Sequence, residues 1–317
     1  MEKEYKRGLI TCIGCQTLWG VLALYWDALN PIPSSTVIFY RIFLVGLIST
    51  VAAIIMHGRK KYLEIFQDMK SFWGLTLTGI IITANWSIYI WAVKAGFVIQ
   101  TCVGYYIEPL VVAAFGIIFF KEKLSGFKLV AFGFALVGLI VILIHFREFP
   151  SIALGLAVTF ATYAALQKKY DMPSMLMLSY QTVLLAIPAL AIVIWLECSG
   201  NGALAMDGVS TGKYLLMLCS GPLTALPLFL FGVSATRIPL VTLGILEYIS
   251  PSLTLLLGIF ILHEAFDGVQ FISFVIVWVG LVFFTFGEMR DKNRSLADKK
   301  IVPDKSTSDG ENLDKKE

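Results

Sequence analysis

The 317 residues are 57% hydrophobic and only 15% charged, and the mean hydropathy is +0.79. A soluble domain carries about one-quarter charged residues, so this composition excludes an ordinary soluble fold and marks an all-α integral membrane protein. The net charge of +3 identifies no partner, and no basic cluster suited to nucleic acid stands out.

The N-terminus, MEKEYKRGLITCIGC, has the basic-then-apolar order of a signal peptide. The apolar run continues to about Tyr25 without a small-x-small cleavage site, so a retained first span is expected. Apolar stretches long enough for a bilayer then recur. Ten spans are predicted, at 8–26, 34–56, 72–94, 97–120, 127–146, 151–169, 174–196, 213–235, 240–262 and 267–287. The stretch 288–317 alternates Lys, Asp, Glu, Ser and Asn, and is expected to be a disordered cytoplasmic tail. With the N-terminus inside, the inner segments hold 21 Lys and Arg residues and the outer ones three, Lys94, Arg147 and Lys213. That bias predicts an even number of spans with both termini cytoplasmic.

Two stretches of the chain correspond. Tyr106 and Tyr248 lie 142 positions apart, as do Pro109 and Pro251, Gly116 and Gly258, Glu122 and Glu264, Gly126 and Gly268, and Gly138 and Gly280. Residues 1–147 and 148–287 therefore read as two copies of a five-span unit. Five is odd, so the second copy enters the membrane inverted. The loop charges agree, with Lys121-Glu122-Lys123 in the first copy and His263-Glu264-Ala265 in the second. Inverted repeats characterise alternating-access transporters, whose sites lie near the midplane between the halves.

Arg41, Glu108 and Glu247 fall well inside predicted spans. Each charge costs roughly 2.5–3.5 kcal/mol at a helix centre, so such groups face a cavity or a partner. A substrate or proton pathway and a structural ion pair are both open readings. Pro109 and Pro251 cannot donate to the carbonyls of Tyr105 and Glu247, so each is expected to kink its helix beside an acid. Tyr105 shares a face with Glu108, and Tyr248 follows Glu247. In the third span Asn85 either lines a pore or ties two helices together, with Trp86 adjacent. Trp19, Trp86 and Trp91 are pocket or interfacial aromatics. Gly133, Ala135 and Gly138 read as close-packing positions, and Cys12 and Cys15 as small packing residues rather than a redox pair.

Gly208, Gly212, Lys213 and Tyr214 lack the spacing of a phosphate-binding loop, and no H-E-x-x-H or G-x-S-G occurs. No cofactor or metal is expected. The alternative to a transporter is an intramembrane enzyme acting on a lipid or small molecule.

The chain resembles the drug/metabolite transporter superfamily, in its EamA branch and more narrowly the RarD family. The carrying residues are Trp19-Gly20, Arg41, the run Asn85 to Val93, Gly104 to Leu110, and Ala235 to Gly244 leading into Glu247, Tyr248 and Pro251. The resemblance covers about 1–287. It implies secondary transport of a small organic metabolite or drug in a bacterial cytoplasmic membrane, with proton coupling open. The family pattern carries amides where this chain has Glu108 and Glu247. The resemblance therefore implies a polar lining at those positions and leaves ionisation open.

Overall fold

The computed structural model describes residues 2–94, 97–123, 126–147, 150–170, 172–206, 209–261 and 268–301. Every regular element among them is helical. In chain order these are α1 (Glu2–Ala28), α2 (Ser34–His57), a short α3 (Arg59–Leu63) followed by a 3-10 turn, α4 (Met69–Lys94), α5 (Val98–Phe120), α6 (Gly126–Phe146) and α7 (Ser151–Lys169). They continue with α8 (Ser174–Cys198), α9 (Thr211–Leu218), α10 (Ser220–Ala235), α11 (Leu240–Glu247), α12 (Ile249–Phe260) and α13 (Gly268–Ile301).

Local chemistry sets the boundaries. Pro33, Pro150, Pro173 and Pro239 stand immediately before α2, α7, α8 and α11, where a missing N–H costs no helical bond. Asp68 accepts the Ser71 N–H at 3.1 Å at the start of α4, and hydrogen bonds from Ser71 hold its carboxyl below the usual carboxylate range. Gly58, at φ 82°, closes α2 with its N–H on the Ile54 carbonyl.

Helical segments occupy each of the ten predicted stretches. Among the described residues, seven segments are long and apolar enough to cross a membrane: Glu2–Trp26, Ser34–His57, Val103–Phe120, Gly126–His145, Ser174–Cys198, Thr211–Ala235 and Leu240–Leu257. The apolar part of α13 is shorter, at Phe271–Gly287. Large apolar side chains face outward on several of these helices, among them Ile55, Ile118, Ile144, Ile187 and Phe260. So many exposed aliphatic groups suit a hydrocarbon solvent.

The helices interlock closely. α2 packs on α8, α6 on α13, α5 on α7 and α11, and α1 on α10 and α12, while α4 lies against α7 and α8 and α10 against α2. Small residues permit the approach. A Cβ on Gly138 would sit 3.1 Å from the Ser273 carbonyl, and one on Gly280 would sit 3.1 Å from that of Ala131.

Two expectations change. Gly133 has nothing within 4 Å of a built Cβ, so it is an exposed position rather than a packing one. The last helix also continues to Ile301, well past the predicted onset of disorder at 288. Residues 288–301 are rich in Lys, Arg, Glu, Asp, Leu and Ala, many of them good helix formers, and they extend a helix already nucleated in α13. Glu264, the counterpart of Glu122 in the repeat, lies outside the described residues.

Candidate functional site

The segments around Tyr106 and Tyr248, which lie 142 positions apart, meet where α5 crosses α11. A Cβ on Gly244 would come 2.5 Å from the Pro109 carbonyl oxygen and 3.0 Å from the Ala113 nitrogen, so only glycine lets these backbones approach. The hydroxyl of Tyr248 donates to the Tyr106 carbonyl at 2.8 Å, joining the residues that the 142-position offset pairs. Both tyrosines are about 2% exposed, so this bond is sealed in the core.

Beside that crossing lie the two acids. Glu247 is 4% exposed, and neither carboxyl oxygen has a hydrogen-bond partner among the described residues. Glu108 is half-buried and close enough to interact electrostatically with it. The prolines behave differently in the two copies. α5 runs unbroken through Pro109, whereas the predicted ninth span divides at Tyr248, with α11 ending at Glu247 and Pro251 in the first turn of α12. Tyr248 keeps helical dihedrals and its carbonyl accepts the Ser252 N–H at 3.2 Å, so the helical path continues past Glu247, whose own carbonyl is the one that Pro251 leaves without an N–H.

The facing wall belongs to α1. Cys12 and Cys15 are fully buried, lie in the electrostatic neighbourhood of Glu247, and are unoxidised. The Cys15 thiol donates to the Pro227 carbonyl at 3.1 Å, which agrees with a packing role. One turn beyond Cys12, Gln16 is 2% exposed and its Nε2 has no partner. Trp19 follows, packed against Phe160 at 6.1 Å and Phe231 at 5.6 Å between ring centres.

The remaining predicted residues occupy distinct places. Arg41 forms no ion pair among the described side chains. Its guanidinium lies 4.1 Å from the Trp86 ring centre and 5.2 Å from that of Trp26, with Nε unpartnered. Among the described residues, flat aromatic faces rather than a glutamate receive the Arg41 cation. Asn85 donates to the Leu156 carbonyl at 2.8 Å and to Thr159 Oγ1 at 2.9 Å, tying α4 to α7. Trp86 borders an interhelical void with Tyr163 and Gln181. Tyr105 is 38% exposed and lies beside Tyr89, with ring centres 6.4 Å apart. Trp91, also exposed, stacks near Phe97 at 5.8 Å.

Two polar groupings escaped sequence reasoning. In the first, buried Gln167 donates to Tyr163 Oη at 2.6 Å and to Gln181 Oε1 at 3.3 Å. In the second, Glu122 accepts the N–H groups of Leu240 and Val241, both at 2.8 Å, and pairs with Lys168 at 3.0 Å. Lys168 also donates to the Ile238 carbonyl at 2.8 Å, and Lys128 to Thr242 Oγ1 at 2.9 Å. This clasp fastens the α5–α6 connection to α7 and to the start of α11, a ready anion site by its free N–H groups and dipole. The charge of Glu122 was visible in the sequence, but a partner 118 positions away was not.

Taken together, the apolar helices and buried polar crossing define a multi-pass α-helical membrane protein. The chain belongs to the EamA-like transporter family, whose profile matches residues 6–144 and again 150–286. It is 35% identical over 296 residues to an uncharacterized transporter, YojE, of Bacillus subtilis (strain 168), covering 92% of this chain and 98% of the relative. It is 33% identical to Protein RarD of Streptomyces exfoliatus, with 93% of each chain covered, so it is RarD-like. Protein RarD of Escherichia coli (strain K12) is 27% identical, over 92% of this chain and 98% of that one. A solved crystal structure matches the fold with a TM-score of 0.67 at 17% identity, over 88% of this chain and 97% of that chain.

Proposed function

We propose that the protein is a ten-span secondary transporter that moves a small organic metabolite or drug by alternating access between two inverted five-span halves. The observation that carries this reading is the crossing of α5 and α11, where Tyr106 and Tyr248, paired by the sequence offset, meet beside the buried Glu247 and the half-buried Glu108. The helix packing supports it. Let α1, α2, α4, α5 and α6 correspond to α7, α8, α9–α10, α11–α12 and α13. Exchanging the halves turns the α5–α7 contact into α12–α1, α1–α10 into α7–α4, and α2–α10 into α8–α4. The contacts α2–α8, α5–α11 and α6–α13 map onto themselves. The twofold match of the family profile is in keeping with the same division, and family relatives are named transporters.

The charge bias puts both termini in the cytoplasm of what we take to be a bacterial cell. On that orientation the Glu122–Lys168 clasp closes the cytoplasmic end, and its release opens the path inward. Glu108, Glu247, Tyr105, Tyr248, Trp86, Arg41 and Asn85 then line or brace the pathway, with Pro109, inside the continuous α5, and Pro251, just past the division at Tyr248, as hinges. Proton coupling through the two carboxyls is part of the proposal. The ionisable groups facing them are the thiols of Cys12 and Cys15 and the phenol of Tyr248.

Counterflow in proteoliposomes tests the reading, using a metabolite and drug panel with and without a pH gradient. Substrate-dependent exchange of chemically unchanged solute is expected. Glu108→Gln and Glu247→Gln should each slow it at least about tenfold, the cost of losing one buried charged contact. Unaltered transport in both variants sinks the site, and a rate indifferent to the gradient sinks proton coupling. Chemical turnover of the solute would favour an enzyme instead.

A further inference from the structure

We propose that the crossing of α5 and α11 recognises a monovalent organic cation, an ammonium-type group on an apolar body. This rests on the transporter reading and names the substrate class of the same site.

Two features of the site attract positive charge. Two carboxyl groups, from Glu108 and Glu247, share it, and both oxygens of the buried Glu247 are unpartnered. Pro251 offers no N–H to the Glu247 carbonyl, which leaves a further acceptor there. No described side chain compensates. Arg41 is the nearest candidate by sequence reasoning, and it is engaged between Trp26 and Trp86. Lys168 and Lys128 are engaged at the clasp, on Glu122, Ile238 and Thr242.

The surroundings distinguish an organic cation from a bare metal ion. Sodium, calcium or magnesium needs about six oxygen ligands, and no group of three or more His, Cys, Asp or Glu suited to a metal occurs among the described residues. The same core instead contains Trp19, Phe160, Tyr163 and Phe231, packed within 5.5 to 6.1 Å of one another. Aromatic faces with apolar side chains receive an alkylammonium group and the body attached to it.

The test compares benzyltrimethylammonium with its uncharged carbon isostere, neopentylbenzene, and with anionic phenylacetate. Binding to purified full-length protein in detergent is followed by tryptophan fluorescence. The cation should bind more than about tenfold more tightly than either other probe. Glu247→Gln and Glu108→Gln should each erase that preference, with thermal melting reporting whether the variants still fold. If either variant unfolds, the wild-type comparison of cation with isostere still decides. Equal binding of cation and isostere, no binding of the cation, or a preference that survives in folded variants of both glutamates overturns the proposal. Counterflow of a neutral solute without cation preference overturns this inference while leaving transport intact. Cation binding without counterflow upholds the inference and removes the transport reading.

Discussion

Asn85 illustrates what a residue does when it stands in an apolar helix. Its amide could as well have faced a pore, but it donates instead to a carbonyl and a hydroxyl of α7. Asn85→Ala should therefore lower stability by about 0.6–2 kcal/mol, the range for interhelical hydrogen bonds in membranes. A fall in melting temperature in detergent, matched by reduced binding only in proportion, is the expected result. Tyr248→Phe removes a single bond, to the Tyr106 carbonyl, and should cost about 0.5–1.5 kcal/mol by the same measurement. The sequence marked both positions as polar or amphipathic in an unusual place. Their partners lie 71 and 142 positions away, a separation no local pattern encodes.

At the scale of the element, glycines that look alike in sequence diverge. Gly79 on α4 lies so close to α8 that an added Cβ would overlap the Gln181 carbonyl oxygen. Gly79→Ala must push the two helices apart, at a cost of about 1–3 kcal/mol. Gly133→Ala meets open space and should gain up to about 1 kcal/mol through helix propensity. Parallel melting curves of the two variants should move in opposite directions. The prolines diverge as well. Both were legible as helix-disturbing residues beside acids, yet α5 absorbs Pro109 within one helix while the second copy divides at Tyr248. The helical path is nonetheless carried across that division: the Tyr248 carbonyl accepts the N–H and hydroxyl of Ser252, and Ser252 Oγ in turn accepts the indole N–H of Trp278.

For the whole molecule, the clasp at Glu122 joins residues from both halves of the chain. Replacing Glu122 with Gln weakens its hold on Lys168 and on two backbone N–H groups at once. Spin labels at Lys123 and Lys169, both exposed, should report a longer or broader distance distribution in Glu122→Gln than in the parent. An unchanged distribution would mean that other contacts hold this end closed.

The membrane character, the helical segments and the family resemblance followed from the sequence alone, because apolar length and loop charge are local properties that a bilayer reads directly. The offset between Tyr106 and Tyr248 was equally visible. The tertiary structure decided what those residues touch: that the two tyrosines meet, that Arg41 rests between tryptophans, and that Glu122 caps α11, 118 positions away. Within a membrane nearly every helix is apolar, so hydrophobicity cannot specify its neighbours. That choice falls to close packing at small residues and to scattered polar contacts, which exist only once the helices have assembled.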